Sequence, residues 1–401
     1  MTKWKYYFLG ELGEITSSKR IFQREYVDSG IPFYRTKEIK ELANKELISS
    51  ELFISRERYE EIKEEFSVPE IGDILITAIG TVGEIYVVED EKEFYFKDGN
   101  ILWLKKFKDI DPYFLRYLLS SLINELHNLS SGSAYKALPI AKLKEYKIPL
   151  PPIEEQRRIA AILDKADGVR RKRKEAIALT EELLRSAFLE MFGDPVTNPK
   201  GWRQIPLGEL LAEPLQNGAY FPRERYVEAP DGVEMVHMSD AFYNFVERGS
   251  LKRVEVTSEE FEKYQLISND VLVARRSLNY EGSAKPCLIL ETDQPLIFES
   301  SLIRVRLSDE VIDSFFFFSY MLEPRARSAY VFPNVTKSTI SGINQTGLKR
   351  ISVFIPPIST QKKYREIYEK VLGAQFSYQK DFENIDNLFN SLLQRAFRGE
   401  L

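Results

Sequence analysis

The side chains able to perform catalysis are few in this 401-residue sequence, and none stands in a complete catalytic pattern. Two Glu-x-Lys triplets, Glu38-Ile39-Lys40 and Glu61-Ile62-Lys63, match half of a metal-nuclease motif, but a chain rich in Glu and Lys produces such triplets by chance. With one cysteine, Cys287, and two histidines, His127 and His237, a zinc site is not expected. The sequence also lacks a phosphate-binding loop, a dinucleotide fingerprint and an Asn-Pro-Pro-Tyr-like methyltransferase motif. We therefore expect no catalytic residue, no metal and no cofactor in this chain.

The remaining chemistry is contact chemistry, carried by short polar loops that mix cations, hydroxyls and amides. The clearest are residues 130–136, 275–279 and 334–339. Such groups donate hydrogen bonds to phosphates and to base edges. The whole chain has 56 Lys+Arg against 61 Asp+Glu, a net charge of −5, which excludes a uniformly basic coat but not local patches. Binding of a polyanion by this chain alone is therefore expected to be weak and sensitive to salt.

Those loops need a scaffold, and the sequence predicts mixed α+β modules. β-branched runs bounded by Gly, Asp and Asn predict strands at 73–79, 84–88, 101–104, 270–274, 287–290 and 301–306. Helices are predicted over 55–65, 112–126 and 311–322. The longest apolar run is far too short to cross a membrane, and the N-terminus lacks the apolar core of a signal peptide. A single cysteine cannot form an intrachain disulfide, so we expect a cytoplasmic protein.

An internal repeat of about two hundred residues organises the chain. Trp4 and Leu9-Gly10-Glu11-Leu12 recur 198 positions later as Trp202 and Leu207-Gly208-Glu209-Leu210. Together with three further landmarks in the same order, this indicates a tandem duplication: a module and a helix, then a second module and a second helix. The further pairs are Gly72-Asp73-Ile74-Leu75-Ile76 with Asn269-Asp270-Val271-Leu272-Val273, Pro151-Pro152-Ile153-Glu154-Glu155-Gln156 with Pro356-Pro357-Ile358-Ser359-Thr360-Gln361, and Leu183-Leu184-Arg185-Ser186-Ala187-Phe188 with Leu392-Leu393-Gln394-Arg395-Ala396-Phe397.

A long helix is predicted after each Pro-Pro pair, because proline suits the first turn of a helix. Apolar residues that step by three and four predict a seam along each helix, so that the two helices pair as an antiparallel coiled coil with pseudo-twofold symmetry. The alternative is that each helix packs only on its own module. We divide the chain into a first module at 1–152, a first helix at 153–192, a second module at 193–355 and a second helix at 356–401.

These residues resemble a known family. The segment Pro151-Pro152-Ile153-Glu154-Glu155-Gln156, followed by a long helix, is similar to the conserved spacer of type I restriction–modification specificity subunits. The end of the chain, from Leu392 to Leu401, resembles the usual end of the same family, and Gly80-Thr81-Val82-Gly83 resembles part of its target-recognition domains. The second spacer departs from the pattern, because Ser359-Thr360 replaces Glu-Glu. The two helices are therefore not expected to bind partners identically.

The resemblance implies two target-recognition domains joined by the helices, each domain reading one half of a bipartite site in double-stranded DNA. The helices would set the gap between the halves and dock two methyltransferase subunits, and motor–nuclease subunits would join for restriction. S-adenosylmethionine, ATP and Mg²⁺ would belong to those partners, which leaves this chain a non-catalytic DNA-recognition subunit. The rival hypotheses are a coiled-coil scaffold that joins two protein-binding modules, and a metal nuclease.

Candidate DNA contacts are the cations, hydroxyls, amides and aromatic groups of the polar loops. Each single cation has an alternative role as a solvated charge or a salt-bridge partner. The first module supplies Arg35, Thr36, Lys37, Thr77, Gly80, Thr81, Ser133, Tyr135 and Lys136. The second module supplies Tyr220, Arg223, His237, Arg275, Arg276, Ser277, Asn279, Asn334, Lys337, Ser338 and Thr339.

Candidate partner contacts lie on the two helices, at landmark positions and along the predicted seams. The basic run Arg170-Arg171-Lys172-Arg173-Lys174 has two interpretations: contact with phosphates over the gap between half-sites, or a solvated face paired with acids such as Asp164, Asp167 and Glu175. The candidate partner contacts are Gln156, Ile159, Leu163, Leu184, Phe188, Gln361, Ile367, Leu392 and Phe397.

Overall fold

The computed structural model describes residues 4–78, 83–129, 139–290 and 294–401. Contacts divide the chain into two compact units. The first unit holds residues 1–174 and 380–401, and the second holds residues 175–379. Each unit therefore combines one module with parts of both long helices.

The first unit contains short strands, short helices and the first half of a long helix. Its strands are β1 (Lys5–Phe8), β2 (Glu14–Thr16), β3 (Tyr26–Val27), β4 (Ile31–Tyr34), β5 (Phe53–Ile54), β6 (Ile74–Thr77), β7 (Ile85–Val87), β8 (Tyr95–Phe96), β9 (Ile101–Lys105) and β10 (Lys147–Leu150). Its helices are α1 (Leu9–Leu12), α2 (Thr36–Ala43), α3 (Arg56–Glu65), α4 (Pro112–Leu129), α5 (Ile140–Lys144) and the start of α6 (Ile153–Phe192).

The second unit repeats these element types. Its strands are β11 (Arg203–Pro206), β12 (Gln216–Asn217), β13 (Tyr226–Val227), β14 (Val233–Val236), β15 (Arg253–Val254), β16 (Val271–Ala274), β17 (Arg276–Ser277), β18 (Pro286–Leu288), β19 (Leu296–Phe298), β20 (Leu302–Val305), β21 (Ser341–Gly342) and β22 (Ser352–Ile355). Its helices are α7 (Met238–Ala241), α8 (Ser258–Tyr264), α9 (Ser314–Leu322), α10 (Pro324–Ala326), α11 (Gln345–Lys349) and the first half of α12 (Ile358–Phe397).

The sheets confirm the α+β duplication, because the same strand order occurs twice. The first unit has the orders β2-β9-β6-β7, β3-β5-β4-β8 and β1-β10, and the second has β12-β20-β16-β18, β13-β15-β14-β19 and β11-β22. One pair in each unit is parallel, β4 with β8 and β14 with β19. The second unit also has a ribbon of β17 and β21. The matching stretches of the first unit, 79–82 and 130–138, lie outside the described residues.

The repeated Leu-Gly-Glu-Leu landmark is a packing motif. A Cβ atom on Gly10 would lie 3.0 Å from the Cβ of Lys144, and a Cβ on Gly208 would lie 3.2 Å from that of Lys349. Both glycines thus allow the chain near the start of each module to approach a short helix near its end, α5 in one unit and α11 in the other.

A buried glutamine fastens α6 to the first module. The Gln156 side chain is 0% exposed. Its Oε1 accepts a hydrogen bond from the Asp111 backbone N–H at 2.8 Å, and its Nε2 donates to the carbonyls of Asp109 and Pro151 at 3.0 and 2.9 Å. Asp111 in turn caps α4, because its Oδ1 accepts from the backbone N–H of Phe114 at 3.0 Å.

The same arrangement, which we call the glutamine lock, recurs on α12 in the second unit. Gln361 is also 0% exposed. It accepts from the Asp313 backbone N–H at 2.8 Å and donates to the carbonyls of Val311 and Pro356 at 3.2 and 2.8 Å. The expectation that Gln156 and Gln361 contact a partner subunit is therefore wrong, since every polar atom of their amides is used inside the chain.

Each long helix contributes to the cores of both units. On α6, Ile159 and Leu163 lie in the core of the first unit, whereas Leu184 and Phe188 lie in the core of the second. These four side chains are at most 7% exposed, so they too are unavailable to a partner. The alternative that each helix packs only on its own module is wrong.

The seam of α12 is interrupted, and part of it faces a different way from the prediction. Tyr364, Tyr368 and Leu372 are buried in the second unit, and Phe389, Leu393 and Ala396 are buried in the first. The predicted seam residue Ile367 is 37% exposed. No residue between Leu372 and Phe389, all of which the structure describes, is buried.

Aromatic packing explains the shift. Tyr368 contacts Phe315 and Phe318 of α9, with ring centroids 5.3 and 6.3 Å apart. The core of the second module, rather than a regular heptad, therefore decides which face of α12 is buried. The helices still run antiparallel, as the ion pairs Arg170–Asp386 and Arg173–Asp381 in the first unit show.

Replacing Gln156 or Gln361 with alanine should destabilise the protein strongly. Each change leaves one backbone N–H and two carbonyls without their partner, and the carbonyl of Pro151 or Pro356 among them is buried. Each buried group left unsatisfied costs about 1–3 kcal/mol. Urea unfolding of the full chain measures the loss. The matched control is Gln379→Ala, an exposed glutamine on α12, which should change the free energy of unfolding by less than about 0.5 kcal/mol. Equal stability of all three variants would contradict the lock.

Candidate nucleic-acid interface

Three of the predicted loop groups of the second unit meet at residues 298–301. The Ala219 N–H donates to the Phe298 carbonyl at 2.9 Å, and the Ser300 N–H donates back to the Ala219 carbonyl at 2.8 Å. The Met238 N–H donates to Glu299 Oε1 at 2.6 Å. The Arg275 N–H donates to the Ser301 carbonyl at 2.9 Å. The loops that carry Tyr220, His237 and Arg275 are thus held together by one turn, which we call the crossing turn.

The parallel pairing of β14 with β19 creates this meeting point, because both strands end at the same edge. Gly218 is needed there: a Cβ atom on it would lie 2.2 Å from the Glu299 carbonyl oxygen. Only a residue without a side chain allows this approach.

The β17–β21 ribbon brings the two remaining predicted loops together. Arg276 pairs with Gly342, and Ser277 pairs with Ser341. Thr336 and Gly342 exchange backbone hydrogen bonds of 2.8 and 3.1 Å, which closes the loop 336–342 into a hairpin. Residues 275–279 and 334–339, far apart in sequence, therefore form one surface.

Several polar side chains of the ribbon hold its shape. Ser277 Oγ donates to Asn279 Oδ1 at 3.1 Å, and this oxygen also accepts from the Gly282 N–H at 2.8 Å. Asn334 Nδ2 donates to the Tyr330 carbonyl, and Ser338 Oγ donates to the Ile340 carbonyl. These four predicted contacts are thus engaged within the chain.

The exposed groups of the ribbon are cationic or hydroxylic. Arg276 is exposed, and within the described chain its guanidinium forms no ion pair. Lys337 is exposed too, and its ammonium lies 5.0 Å from the Tyr280 ring centroid. Thr339 is exposed beside them, whereas Arg275 is half-buried with Nη1 3.4 Å from the Ser300 carbonyl. Arg276 and Lys337 are the ribbon's best donors for a ligand.

A second exposed region flanks the crossing turn. Tyr220 is 83% exposed, and Arg223 is exposed on the next turn. Together with Lys252 they line a cleft of about 820 Å³. The cleft also contains Glu234, but its carboxylate is bonded to Arg248 at 2.6 Å, so it offers little negative charge to a ligand.

His237 is not a free reader of bases. Its Nε2 lies 3.0 Å from the Tyr226 hydroxyl, and its Nδ1 lies 3.0 Å from the Met235 carbonyl. Both ring nitrogens have partners inside the unit, so a DNA contact through this imidazole would have to displace one of them. The residue begins α7, and its backbone N–H donates to Asp240 at 2.8 Å.

The first unit has a matching crossing turn at residues 96–100. The Lys97 N–H donates to the Tyr34 carbonyl, immediately before Arg35, and the Ala78 N–H donates to the Asn100 carbonyl. Arg20 reaches the same turn, with Nε 2.8 Å from Asp98. Gly80, Thr81, Ser133, Tyr135 and Lys136, which were predicted to contact DNA, lie outside the described residues.

Acidic side chains already engage the two predicted cations of the first unit that the structure describes, Arg35 and Lys37. Arg35 donates to Glu38 at 2.7 Å and to Glu51 at 2.8 Å, and these bonds raise the pKa of its guanidinium. Lys37 lies 3.2 Å from Glu51, whose pKa the two cations lower. Thr77 is buried and its hydroxyl accepts from the Glu84 N–H, so it cannot reach DNA. Thr36 is half-buried at the start of α2.

The metal-nuclease alternative gains no geometric support in the described residues. Glu38 of the first Glu-x-Lys triplet is 1% exposed and bonded to Arg35, which leaves it unsuited to hold a metal. No group of three potential metal ligands occurs within residues that the structure describes. Burial raises the pKa of the Cys287 thiol to about 12, so the single cysteine stays protonated.

The basic run on α6 is largely an ion-paired surface. Asp167 is 2% exposed, and its carboxylate forms ion pairs with three arginines. The N···O distances are 3.6 Å to Arg116, 2.7 Å to Arg170 and 3.5 Å to Arg171. Arg173 lies 3.5 Å from Asp381. The structure thus supports the paired interpretation for three of the five cations, while Lys172 and Lys174 remain exposed.

Apart from Ile367, the exposed apolar residues of the helices differ from the predicted partner contacts. Leu392 and Phe397 are half-buried against the first core. Leu179 and Leu183 on α6 are 55% and 54% exposed, and Leu388 on α12 is 60% exposed. Leu179 and Leu388 each precede the repeated Leu-Leu pair by four positions, so the repeat itself could have revealed them.

The chain matches a family model twice. The model describes the type I restriction modification DNA specificity domain, and it matches residues 1–179 and 199–380. This chain belongs to the type I specificity-subunit family. Its two copies of the specificity domain correspond to the repeat found in the sequence. In the described residues no helix is long and apolar enough to cross a membrane.

Similar proteins are specificity subunits as well. The chain is 34% identical to a Haemophilus influenzae protein provisionally named S.HindORF215P, over 43% of either chain. It is 26% identical to the EcoKI specificity subunit of Escherichia coli K12, over 69% of this chain and 62% of that one. Both matches span less than two thirds of the relative. The MjaIX specificity subunit of Methanocaldococcus jannaschii is 23% identical over 99% of this chain and 93% of its own.

Two solved structures share the fold. One is a chain from a study of complex assembly and conformational transition in a type I R-M system, with a TM-score of 0.51 and 20% identity over 100% of this chain and 99% of that chain. The other is the S subunit of M. genitalium, with a TM-score of 0.53 and 15% identity over 98% of this chain and 96% of that chain.

Arg276→Ala and Lys337→Ala should each weaken DNA binding by the complete complex and lower its salt dependence. Loss of one phosphate contact reduces the slope of log K against log salt by about 0.9. A contact with a base edge would instead reduce discrimination at one position by about 1–3 kcal/mol. Lys362→Ala, an exposed cation on α12, is the matched control. Unchanged affinity and slope in both ribbon variants would remove the ribbon from the interface.

Proposed function

We propose that this chain reads a bipartite site in double-stranded DNA, with one half-site for each unit. The observation that carries the proposal is the crossing turn, which occurs at 96–100 and again at 298–301 and gathers loops that are distant in sequence. Membership of the specificity family supports a recognition role without catalytic chemistry in this chain.

The second unit supplies the clearest assignment of roles. Arg276 presents a planar fork of donors, which suits the O6 and N7 acceptors of a guanine. Lys337 and Arg223 present cations to the phosphates, which fixes the register of the protein on the duplex. Tyr220 adds an exposed aromatic group with a hydroxyl. In the first unit, residues 79–82 and 130–138 take the corresponding positions in the sequence.

The partners we propose are two methyltransferase subunits, joined by motor–nuclease subunits where restriction occurs. Leu179 and Leu388 support two similar docking sites, because they occupy equivalent positions in the repeat and both are exposed. S-adenosylmethionine, ATP and Mg²⁺ chemistry belongs to those subunits. The methyltransferases also supply positive charge that this chain, at net −5, lacks. We place the complex in the cytoplasm, where it meets DNA.

Lengthening both helices should lengthen the gap between the half-sites. Four residues inserted after Lys174 and after Gln379, slightly more than one turn, add about 6 Å to each helix and nearly preserve its faces. At about 3.4 Å per base pair, the preferred gap grows by one or two base pairs while both half-site words stay the same. Methylome sequencing of cells that express the chain with its methyltransferase measures both half-site sequences and the number of base pairs between them. The proposal fails if no bipartite motif depends on the chain, and the ruler role fails if the gap is unchanged.

Leu179→Glu and Leu388→Glu should each weaken binding of one methyltransferase subunit. A buried leucine contributes about 1.5–3 kcal/mol, so a glutamate there should cost at least tenfold in affinity. Isothermal titration with the purified methyltransferase measures affinity and stoichiometry. Leu47→Glu, a fully exposed leucine of the first module, is the control. If both helix variants bind the methyltransferase with wild-type affinity, the docking sites do not include Leu179 and Leu388.

A further inference from the structure

The tip of the β17–β21 ribbon is apolar, although everything around it is polar. Leu278 directly follows β17 and is 89% exposed. Ile340 directly precedes β21 and is 52% exposed. Ser277 and Ser341 form the last pair of the ladder, and continuing the antiparallel register by one position matches Leu278 with Ile340. Two large, exposed apolar side chains therefore occupy matching positions at the end of the ribbon, where their exposure to water is unfavourable.

The tip is held in place on both strands. Beyond the two ladder pairs, the backbone N–H of Asn279 donates to Ser277 Oγ at 3.3 Å, directly after Leu278. A Cβ on Gly282 would lie 2.5 Å from Ser277 Oγ, and a Cβ on Gly342 would lie 2.6 Å from the Arg275 carbonyl. The two glycines therefore permit a tightly packed turn. Hydrogen bonds and close packing fix the backbone that carries Leu278.

Charge identifies the kind of ligand. Arg276 lies two residues before Leu278, and Lys337 lies three residues before Ile340. Neither cation has a carboxylate within 4.0 Å in the described part of the chain. Cations beside apolar side chains fit a surface that is anionic at its edge and carries methyl groups in a groove. The DNA major groove has this combination, since thymine displays its 5-methyl group there between two phosphate backbones.

We propose that Leu278 and Ile340 read thymine, by contact with its 5-methyl group in the major groove of the second half-site. The inference rests on the proposed function and deepens it by naming one base. A two-stranded ribbon fits the width of the major groove, and an apolar side chain is the group that recognises the thymine methyl. Arg276, beside it on the same strand, reads the neighbouring base pair or its phosphate.

Deoxyuridine substitution tests this directly, because it removes the methyl group and leaves base pairing intact. Once the second half-site is known, each of its thymines is replaced singly, and binding is measured with the chain and its methyltransferase subunits. The wild-type complex should lose about fourfold in affinity at one or two thymines, the effect of one buried methyl-sized group. Leu278→Ala should bind the thymine duplex about as weakly as wild type binds the uracil duplex.

The decisive quantity is the thymine-to-uracil affinity ratio in the variant. Leu278→Ala or Ile340→Ala should bring it close to one at the affected position, while Leu47→Ala keeps the wild-type ratio. Because Leu278 is so exposed, its replacement should leave the unfolding midpoint unchanged. A ratio of one for wild type at every thymine, an unchanged ratio in both ribbon variants, or a second half-site without thymine would overturn the inference.

Two other results separate the inference from related ideas. If the leucine were a wedge between bases, uracil would be tolerated and 2-aminopurine fluorescence at the site would rise on binding, which contradicts methyl reading. If the complex bound all duplexes equally, the proposed function itself would fail. Specific binding that ignores the methyl group would overturn the inference alone.

Discussion

The glutamine lock at the start of each long helix is the interaction on which the rest of the molecule depends. Gln156 and Gln361 each join a proline carbonyl, the chain before a capping aspartate and the first turn of the long helix. Because both glutamine side chains and the proline carbonyls are buried, these hydrogen bonds cannot be exchanged for water without loss. The direction of each helix is thereby tied to its module. On the proposed function, a helix that sets the distance between DNA half-sites is useful only if its direction relative to the DNA-reading domain is fixed.

The repeated landmarks are scaffold, and the loops between them carry the differences. The Leu-Gly-Glu-Leu motif, the Pro-Pro-x-x-x-Gln motif and the strand orders occur in both units. At equivalent positions after β4 and β14, however, the first unit has Arg35, bound by two glutamates, and the second has His237, bound by a tyrosine hydroxyl and a carbonyl. Duplication thus supplies the same scaffold twice, and divergence of the loops allows the two recognition domains to differ in the DNA sequence that they read.

Much of the fold could be predicted from the sequence, because local signals are strong. Helix α6 has the predicted bounds, and the six predicted strands overlap β6, β7, β9, β16, β18 and β20. The buried face of α12 could not be predicted from the spacing of apolar residues by three and four positions, because packing against the aromatic core around Phe315 buries Tyr368 rather than Ile367. The roles of Gln156 and Gln361 could not be predicted either. A polar residue at a repeated position can form hydrogen bonds inside the chain as well as with a partner subunit, and only the tertiary structure distinguishes the two.

The candidate interface was predictable in part. Short polar loops could be singled out as a group from the sequence, and their role as DNA contacts stays a prediction. Their meeting at the crossing turns depends on parallel pairing between strands that are distant in sequence. The pairing of acids with Arg35 and Lys37 also depends on tertiary structure. Leu278 and Ile340 escaped a search directed at polar side chains, although both lie inside the loops that were singled out.

The most direct test of the account is exchange of the second module. Residues 193–355 are replaced by the equivalent stretch of another specificity subunit whose site is known, and the methylome is sequenced in cells that carry the methyltransferase. The account predicts a motif in which one half is replaced by a half of the donor's site, while the other half and the gap stay the same. A change in both halves, or in neither, would contradict the claim that each unit reads its own half of the site.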